Sequence, residues 1–211
     1  MAQIKGFLNG PIENNTYIVY ETVHNKSYII DPAVSNQNIL DFIKRHSLTP
    51  LAVLLTHCHF DHVLGLKFVR DNFPDIDIYS HTSGLNTFET MLPRAIKYGI
   101  SIPENLPRPN RFFSDKDEFQ LGDSILSIIH TPGHCPCQSC FKIDNILITG
   151  DMLFSNSVGR TDIPLSQPQD MVKSYQKLHI LDDSLTIYPG HGDTATLKQA
   201  LKSSAWAIKQ Q

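Results

Sequence analysis

The sequence predicts a mixed α/β fold formed by one domain with two similar halves, on three observations. In the first half of the 211-residue chain, β-rich or apolar runs alternate with helical periodicity, as in α/β proteins. In the second half, several strands precede a helix, a strand and a last helix. No low-complexity segment or linker divides the chain, so we predict a single domain over residues 1–211.

The first predicted elements are a hairpin, a helix and a buried strand. "NTYIVY" (15–20) and "SYIID" (27–31) are β-rich runs on either side of a polar turn. Residues 36–46 place their apolar side chains on one helical face. "LAVLL" (51–55) is continuously apolar, which is typical of a strand that is buried on both faces.

A second helix is predicted to begin near Asp61, and "IDIYS" (76–80) is the next strand. Residues 82–110 contain four prolines and no long periodic segment, which predicts a helical insertion or lid-like connection. The closing helix begins at about residue 194, with Thr194 as its N-cap. The elements between are predicted as strands over 117–130, 139–143 and 145–150, a helix over 168–180 and a strand over 184–190.

Charge and hydropathy give no sign of a nucleic-acid or membrane partner. The chain has 18 basic and 21 acidic residues, a net charge of -3, and no basic run. The N-terminus lacks the pattern of a signal peptide, and no apolar run reaches the roughly 18 residues of a membrane helix. We therefore expect a cytoplasmic protein; the sequence carries no signature of an oligomeric state.

Histidine and aspartate follow apolar strands at four places. Strand ends hold side chains rigidly at one edge of a sheet, and imidazole with carboxylate suits zinc, iron or manganese. The four segments are "LLTHCHFDH" (54–62), "IIHTPGH" (128–134), "ILITGD" (146–151) and "IYPGHG" (187–192). They contain the candidate metal ligands His57, His59, Asp61, His62, His134, Asp151 and His191.

The spacing of these residues favours two metal ions. His57 and His59 are two apart in an extended segment and can point the same way, whereas Asp61 and His62 begin a helix and face a neighbouring position. A carboxylate such as Asp151 can bridge the ions, which can share a nucleophilic hydroxide. The other histidines are interpreted as surface or packing residues: His24, His46, His81, His130 and His179.

The motif His57-x-His59-x-Asp61-His62, followed by His134, Asp151 and His191, resembles the metallo-β-lactamase superfamily over roughly residues 10–195. The resemblance implies a four-layer αββα sandwich of the metallo-β-lactamase type, with the metals at one edge of two facing sheets. It also implies the ligands: His57, His59 and His134 for the first ion, Asp61, His62 and His191 for the second, and Asp151 between them.

"NNTYIV", "IDPA", "TGDMLFSNSVGRTD" and "YPGHG" resemble the glyoxalase II-like branch, especially short bacterial hydroxyacylglutathione hydrolases. This resemblance implies a hydrolase that cleaves S-acylglutathione or a related small-molecule thioester by a metal-bridging hydroxide. Asp61 and Asp151 would be the catalytic residues. The implied cofactors are two divalent metal ions, zinc first, with iron or manganese as alternatives. About twenty residues follow His191, so we expect no separate C-terminal helical domain of the kind that binds glutathione in full-length glyoxalase II.

Two alternative functions stay open at this point. The Gly159–Asp162 stretch also occurs in persulfide dioxygenases, which use one iron, so the first alternative is a mononuclear iron persulfide dioxygenase. Arg160 and Asp162 could act in catalysis or form a structural pair that braces their loop. The second alternative is a non-catalytic metal-binding module, which seven ligands disfavour because a structural site needs only four.

Four cysteines lie beside candidate ligands. Cys58 stands between the first two histidines, and its alternating position directs the side chain away from the metals and into packing. Cys135, Cys137 and Cys140 follow ligand His134 in "GHCPCQSC". They could pack, form a labile disulfide, or contact the metal or a thiol substrate, and packing is the default interpretation.

Overall fold

The computed structural model describes residues 1–209 and contains two six-stranded sheets. The first sheet consists, in order, of β1 (Gln3–Asn9), β2 (Asn14–Tyr20), β3 (Lys26–Ile30), β4 (Thr49–Leu54), β5 (Asp77–His81) and β6 (Arg111–Phe113). Strands β1 to β3 pair antiparallel, and β3 to β6 pair parallel.

The second sheet is formed by the strands that follow in the second half of the chain. In spatial order it contains β12 (Ala195–Thr196), β11 (Thr186–Pro189), β10 (Ile146–Gly150), β9 (Ser139–Ile143), β8 (Ser124–His130) and β7 (Glu118–Leu121). Strands β10 and β11 are parallel, and the other neighbours are antiparallel.

Helices cover the outer faces of both sheets. The helices are α1 (Gln37–Arg45), α2 (Phe60–Val63), α3 (Leu66–Asn72), α4 (Gly84–Met91), a 3₁₀ helix (Leu92–Tyr98), α5 (Pro168–Leu178) and α6 (Leu197–Ile208). One apolar cluster joins the first sheet to α1, α3 and α4, a second joins the two sheets, and a third joins the second sheet to α5 and α6. The predicted four-layer αββα sandwich is confirmed. No helix in residues 1–209 is long and apolar enough to cross a membrane.

The structure confirms most predicted elements, adds the strands β1, β6 and β12, and divides one predicted helix into two. Strands β1 and β6 were not predicted, and the helix near Asp61 is split at Gly65 into α2 and α3. At Gly65 the chain passes so close to another segment that a Cβ atom would lie 2.6 Å from the carbonyl oxygen of Pro32. Residues 82–110 contain α4 and the 3₁₀ helix, so the prediction of a helical insertion is correct.

The predicted start of the last helix at Thr194 is wrong. Ala195 and Thr196 pair with β11 as strand β12, which keeps the backbone extended beyond Thr194. Helix α6 therefore begins at Leu197 and is capped by Thr196, whose side chain and that of Gln199 form a reciprocal capping box.

Candidate metal centre

The structure brings all seven predicted ligands together where strands of both sheets end. His57 and His59 follow β4, while Asp61 and His62 lie in α2. The other three follow strands of the second sheet: His134 after β8, Asp151 after β10 and His191 after β11. Each ligand comes soon after an apolar strand, as the sequence pattern predicts.

The first group consists of His57, His59 and His134. One ring nitrogen of each lies within 4.8 Å of the others, and His59 Nδ1 is 2.9 Å from His134 Nε2. All three residues are buried. Three imidazoles that converge in this way are suited to bind one zinc, iron or manganese ion.

The second group consists of Asp61, His62 and His191. Asp61 Oδ2 lies 3.8 Å from His62 Nε2 and 3.3 Å from His191 Nε2. This group is more accessible than the first, since the His191 side chain is 23% exposed and the Asp61 side chain 15% exposed. A carboxylate with two imidazoles also suits a divalent transition metal.

Asp151 lies between the two groups. Its Oδ2 atom is 3.6 Å from His134 Nε2 and 3.7 Å from His191 Nε2, and its Oδ1 atom is 3.4 Å from His62 Nε2. One carboxylate thus contacts ligand atoms of both groups, which is the position of a bridging ligand in a two-metal site.

Unpartnered polar atoms support the presence of cations at these groups. His57 Nε2, His59 Nε2, His62 Nε2 and Asp151 Oδ1 are buried without a hydrogen-bond partner among the described residues. Each such atom costs about 1–3 kcal/mol of desolvation if nothing binds it. Convergence of these atoms on one another fits a dinuclear metal site.

Main-chain carbonyl groups orient two of the histidines. His134 Nδ1 lies 2.8 Å from the Arg160 carbonyl oxygen, and His191 Nδ1 lies 3.0 Å from that of Ile12. A nitrogen that faces a carbonyl oxygen must carry the proton and donate it. A metal ion would bind Nε2 of each ring, in the form in which that atom carries no proton.

Asp31 orients two further histidines, although the sequence reasoning did not select it. Its Oδ2 atom lies 3.0 Å from His62 Nδ1 and accepts the Thr56 hydroxyl at 2.5 Å. The Thr56 hydroxyl lies 3.1 Å from His57 Nδ1, so it donates to Asp31 and accepts from His57. Asp31 could have been found, because it also follows an apolar strand, in "SYIID".

Asn14 is the second residue that the sequence reasoning missed. It is buried, and its Nδ2 atom donates to Asp61 Oδ2 at 3.1 Å and lies 3.3 Å from His191 Nε2. Asn14 therefore holds the carboxylate of the second group in place. Asn14 lies in the segment "NNTYIV" that resembles the glyoxalase II-like branch, but the ligand pattern at strand ends does not include it, and its partners are 47 and 177 positions away.

The histidines of the first group have lowered pKa values. Burial, followed by the neighbouring imidazole of His62, keeps the pKa of His57 well below its usual value. Burial and the His134 imidazole lower the pKa of His59 to about 3. Both rings are therefore neutral at pH 7, which is the form that binds a metal ion.

The second group behaves differently because carboxylates surround it. Burial acts to lower the pKa of His62, but Asp151 and Asp61 outweigh it and raise that pKa well above the usual value. The pKa of His191 is raised for the same reason, chiefly by its hydrogen bond to Asp61. Burial acts to raise the pKa of Asp151, yet the His62 charge outweighs it and lowers that pKa to about 2. Both carboxylates of the site are ionised at neutral pH, since the Asp61 pKa is also lowered.

Two glycines allow the chain to pass next to the candidate ligands. A Cβ atom on Gly190 would lie 2.3 Å from Asp151 Oδ1 and 2.7 Å from His62 Cε1. A Cβ atom on Gly159 would lie 1.9 Å from the Asp151 carbonyl oxygen. A larger residue at Gly190 would displace the Asp151 carboxylate, and one at Gly159 would displace the main chain of Asp151.

A cavity of about 210 Å³ opens onto the two groups. Four candidate ligands line it: His59, Asp61, His134 and Asp151. The remaining lining residues are apolar or carry donors: Ile12, Phe60, Met91, Ile163, Arg94, Tyr98 and Arg160. Larger cavities exist, but one of about 490 Å³ between α5 and α6 contains none of the candidate ligands.

Arg160 and Asp162 form an ion pair at the rim of this cavity. Arg160 Nε and Nη2 lie 2.8 and 2.9 Å from the two carboxylate oxygens of Asp162. Both side chains are about two-thirds exposed. This geometry fits the interpretation of a pair that braces the loop, and the Arg160 carbonyl group also orients His134.

All four cysteines are free and fully buried. Cys58, Cys135 and Cys137 belong to the apolar cluster between the first sheet and its helices, and Cys140 belongs to the cluster beneath α5 and α6. Their burial agrees with the packing interpretation. Burial also raises the pKa of the Cys140 thiol to about 12, so this sulfur is protonated.

The remaining histidines lie outside both ligand groups. His81 and His130 stack on each other with ring centroids 3.9 Å apart, and His130 Nε2 lies 2.8 Å from the Pro136 carbonyl oxygen. Three others contact residues remote from the cavity: His24, His46 and His179.

Sequence comparison gives relatives over most of the chain. A probable metallo-hydrolase of Streptococcus pyogenes is 32% identical over 192 residues, which cover 88% of this chain and 81% of the relative. A hydroxyacylglutathione hydrolase of Francisella philomiragia is 29% identical over 188 residues, which cover 88% of this chain and 65% of the relative.

Two solved structures resemble the whole fold. The B3 metallo-beta-lactamase BLEG-1 superposes with a TM-score of 0.86 at 29% identity and covers 97% of this chain and 99% of its own. The protein TTHA1623 in a di-iron-bound form gives a TM-score of 0.85 at 31% identity, with 96% and 99% covered. Residues 9–191 match the metallo-beta-lactamase superfamily as a family. The chain therefore belongs to the metallo-beta-lactamase superfamily, and this membership supports an enzyme of the metallo-hydrolase class.

Proposed function

We propose that this protein is a metal-dependent thioesterase of the glyoxalase II-like kind, which hydrolyses S-acylglutathione or a related thioester. The observation that carries the proposal is the pair of ligand groups joined by Asp151 at one small cavity. The relative named as a hydroxyacylglutathione hydrolase supports this substrate class. Two divalent ions, with zinc as the first choice, are the proposed cofactors.

The chemistry needs residues that hold cations and residues that position water. His57, His59 and His134 would hold one cation, and the second group would hold the other. When bound, such cations lower the pKa of water and polarise a carbonyl oxygen, which is what thioester hydrolysis requires. No serine or cysteine nucleophile is needed, in keeping with the burial of all four thiols.

Asp61 and Asp151 would act through their ionised carboxylates. The Asp61 pKa lies far below that of an efficient general base, so we propose that Asp61 orients the attacking water by accepting its hydrogen bond. Asn14 donates to the same carboxylate and fixes its direction. Asp151 would set the relative position of the two groups that it contacts.

The experiment is a panel of S-acyl thioesters assayed with zinc-, iron- and manganese-loaded protein while oxygen uptake is recorded. We expect thioester hydrolysis without oxygen consumption, and its loss in Asp61→Ala. One iron per chain with oxygen uptake and sulfite release on glutathione persulfide would instead establish the dioxygenase alternative. Unchanged behaviour of Asp61→Ala in every assay would favour the non-catalytic module.

The similarity to BLEG-1 favours one second candidate, hydrolysis of a β-lactam amide. The same two groups could serve that reaction, because an amide carbonyl and a thioester carbonyl both develop negative charge on oxygen. A chromogenic cephalosporin added to the panel separates the two functions. A higher kcat/KM for the cephalosporin than for every thioester would replace our proposal.

A further inference from the structure

The two arginines that line the cavity have different surroundings. Arg160 is neutralised by its two-point ion pair with Asp162. Arg94 also lines the cavity and is partly buried, yet its guanidinium makes no hydrogen bond or ion pair with any residue in 1–209. A partly buried guanidinium has five N–H donors to satisfy, so an unpaired one at a cavity wall is suited to a ligand.

Arg94 is held near the metal centre by packing. It lies in the 3₁₀ helix, where the next residue, Ala95, is fully buried against Phe60. The ring centroid of Tyr98, in the same helix, lies 5.5 Å from the ring centroid of Phe60. Phe60 stands between the ligands His59 and Asp61 in the sequence, so the helix that carries Arg94 packs directly on the ligand segment.

No protein carboxylate of the cavity is available to Arg94. Asp61 is occupied by Asn14 and His191, and Asp151 lies among the candidate ligands. Cations at the two groups would engage both carboxylates further and add positive charge. The charge of Arg94 therefore remains uncompensated, and it favours an anionic ligand, most directly a planar carboxylate that accepts two parallel hydrogen bonds.

We propose that Arg94 is a specificity-determining residue that binds a carboxylate of the substrate, so that the enzyme acts on anionic thioesters. The inference rests on the proposed thioesterase function and adds the charge class of its substrate. The carboxylate can belong to the thiol carrier or to the acyl group. Arg94 acts in recognition and takes no part in bond cleavage, so its removal raises KM and leaves kcat largely unaltered.

The test compares three thioesters on metal-loaded protein: S-lactoylglutathione, with carboxylates on the carrier; S-succinyl-N-acetylcysteamine, with one on the acyl group; and neutral S-lactoyl-N-acetylcysteamine. In the unaltered protein, kcat/KM is expected to favour at least one anionic thioester over the neutral one. In Arg94→Ala this preference should fall roughly tenfold, mainly through a higher KM. A tenfold change corresponds to the loss of about one charge-assisted hydrogen bond. Whichever anionic thioester loses its advantage identifies the source of the carboxylate.

Lys97→Ala provides the matched control, because Lys97 is a cation of the same helix that is exposed and does not line the cavity. Arg94→Lys should restore part of the preference, since it keeps the charge but lacks the planar fork. An equal preference in Arg94→Ala and the unaltered protein overturns the inference. So does an equal loss of preference in Lys97→Ala.

Binding without turnover separates this inference from the proposed function. Calorimetric titration of the metal-loaded protein with non-hydrolysable probes requires no turnover. Two probes carry carboxylates, S-methylglutathione for the thiol carrier and succinate for the acyl group. The third, S-methyl-N-acetylcysteamine, is neutral. Affinity for one of the carboxylate probes should fall roughly tenfold in Arg94→Ala and stay constant in Lys97→Ala. If the protein hydrolyses no thioester, the proposed function fails while this result still decides the role of Arg94. If Arg94→Ala binds both carboxylate probes as tightly as the unaltered protein does, the inference is contradicted.

Discussion

The two ligand groups lie side by side but differ in charge and access. The first, His57, His59 and His134, is buried and has no carboxylate of its own. The second contains Asp61, and the side chains of Asp61 and His191 reach solvent. Two groups that both contact Asp151 would thus give their cations different surroundings.

This difference determines the protonation of each group before an ion binds. Burial lowers the pKa values of His57 and His59, so these two imidazoles of the first group are neutral and ready to bind at pH 7. Nearby carboxylates raise the pKa values of His62 and His191, so the second group must lose protons when an ion enters. The comparison teaches that residue type alone does not set the behaviour of a ligand histidine; its charged neighbours do.

The largest expected effect comes from the residue that the two groups share. Asp151→Asn keeps the shape of the side chain but removes the charge that contacts both groups, and we expect kcat/KM to fall by about 100- to 1,000-fold. Elemental analysis should show less than the full metal content. Asp162→Asn is the control, since that exposed carboxylate contacts only Arg160 among the cavity residues described above. Full metal content and activity in Asp151→Asn would refute a shared ligand.

The metal affinities of the two groups should respond differently to acid pH. Because the pKa values of His62 and His191 are raised, ion binding to the second group releases protons, and its affinity should fall with decreasing pH by up to about tenfold per unit for each proton displaced. The first group should change less between pH 8 and pH 6, since the His59 pKa is about 3. Zinc titrations of the ion-free protein at both pH values measure this; a parallel decline of both affinities would remove the distinction.

Asp31→Asn should weaken the second group by about 10- to 100-fold in metal affinity, the usual effect of losing a carboxylate that orients a ligand histidine. Asp31 accepts from His62 directly at 3.0 Å and reaches His57 through the Thr56 hydroxyl. We therefore expect the second ion to be lost before the first in competition with a chelator. Loss of the first ion alone would contradict this order.

The smallest effect is expected from Thr56→Val, which removes the hydroxyl between His57 and Asp31. Only the first group should weaken, by about tenfold, at the lower end of the range for such contacts. The backbone N–H of Thr56 still donates to Asp31 at 2.8 Å, so the support of His62 is preserved. Equal weakening of both ions would mean that Thr56 acts on the whole centre.

Much of the fold could be predicted from local patterns. The apolar run 51–55 and the periodicity of 36–46 correspond to β4 and α1, because burial and amphipathicity leave regular spacings in the sequence. Strand β6, with three residues, is too short to leave such a pattern. The start of α6 was misplaced at Thr194, since pairing with β11 keeps the chain extended for two more residues.

The candidate site divides in the same way. All seven predicted ligands converge in the structure, because each is a chemically distinctive residue at the end of an apolar strand. Asn14 and Arg94 left no comparable signal. An asparagine in a strand and an arginine in a proline-containing insertion are ordinary residues until their neighbours are known.

By itself, the sequence indicated a mixed α/β fold and which side chains can gather at a sheet edge, since hydrophobic periodicity and ligand-type residues at strand ends are local properties. The four-layer arrangement was implied by the resemblance to the metallo-β-lactamase superfamily. Only the tertiary structure decided which carboxylate supports each ligand histidine and which arginine remains unpaired. Those outcomes depend on contacts between distant segments, such as Asp31 with Thr56 across 25 positions and Asn14 with His191 across 177. These contacts set the protonation of the ligands, the compensation of their charges and their exposure to solvent. A short stretch of sequence does not predict such contacts, because they join distant segments.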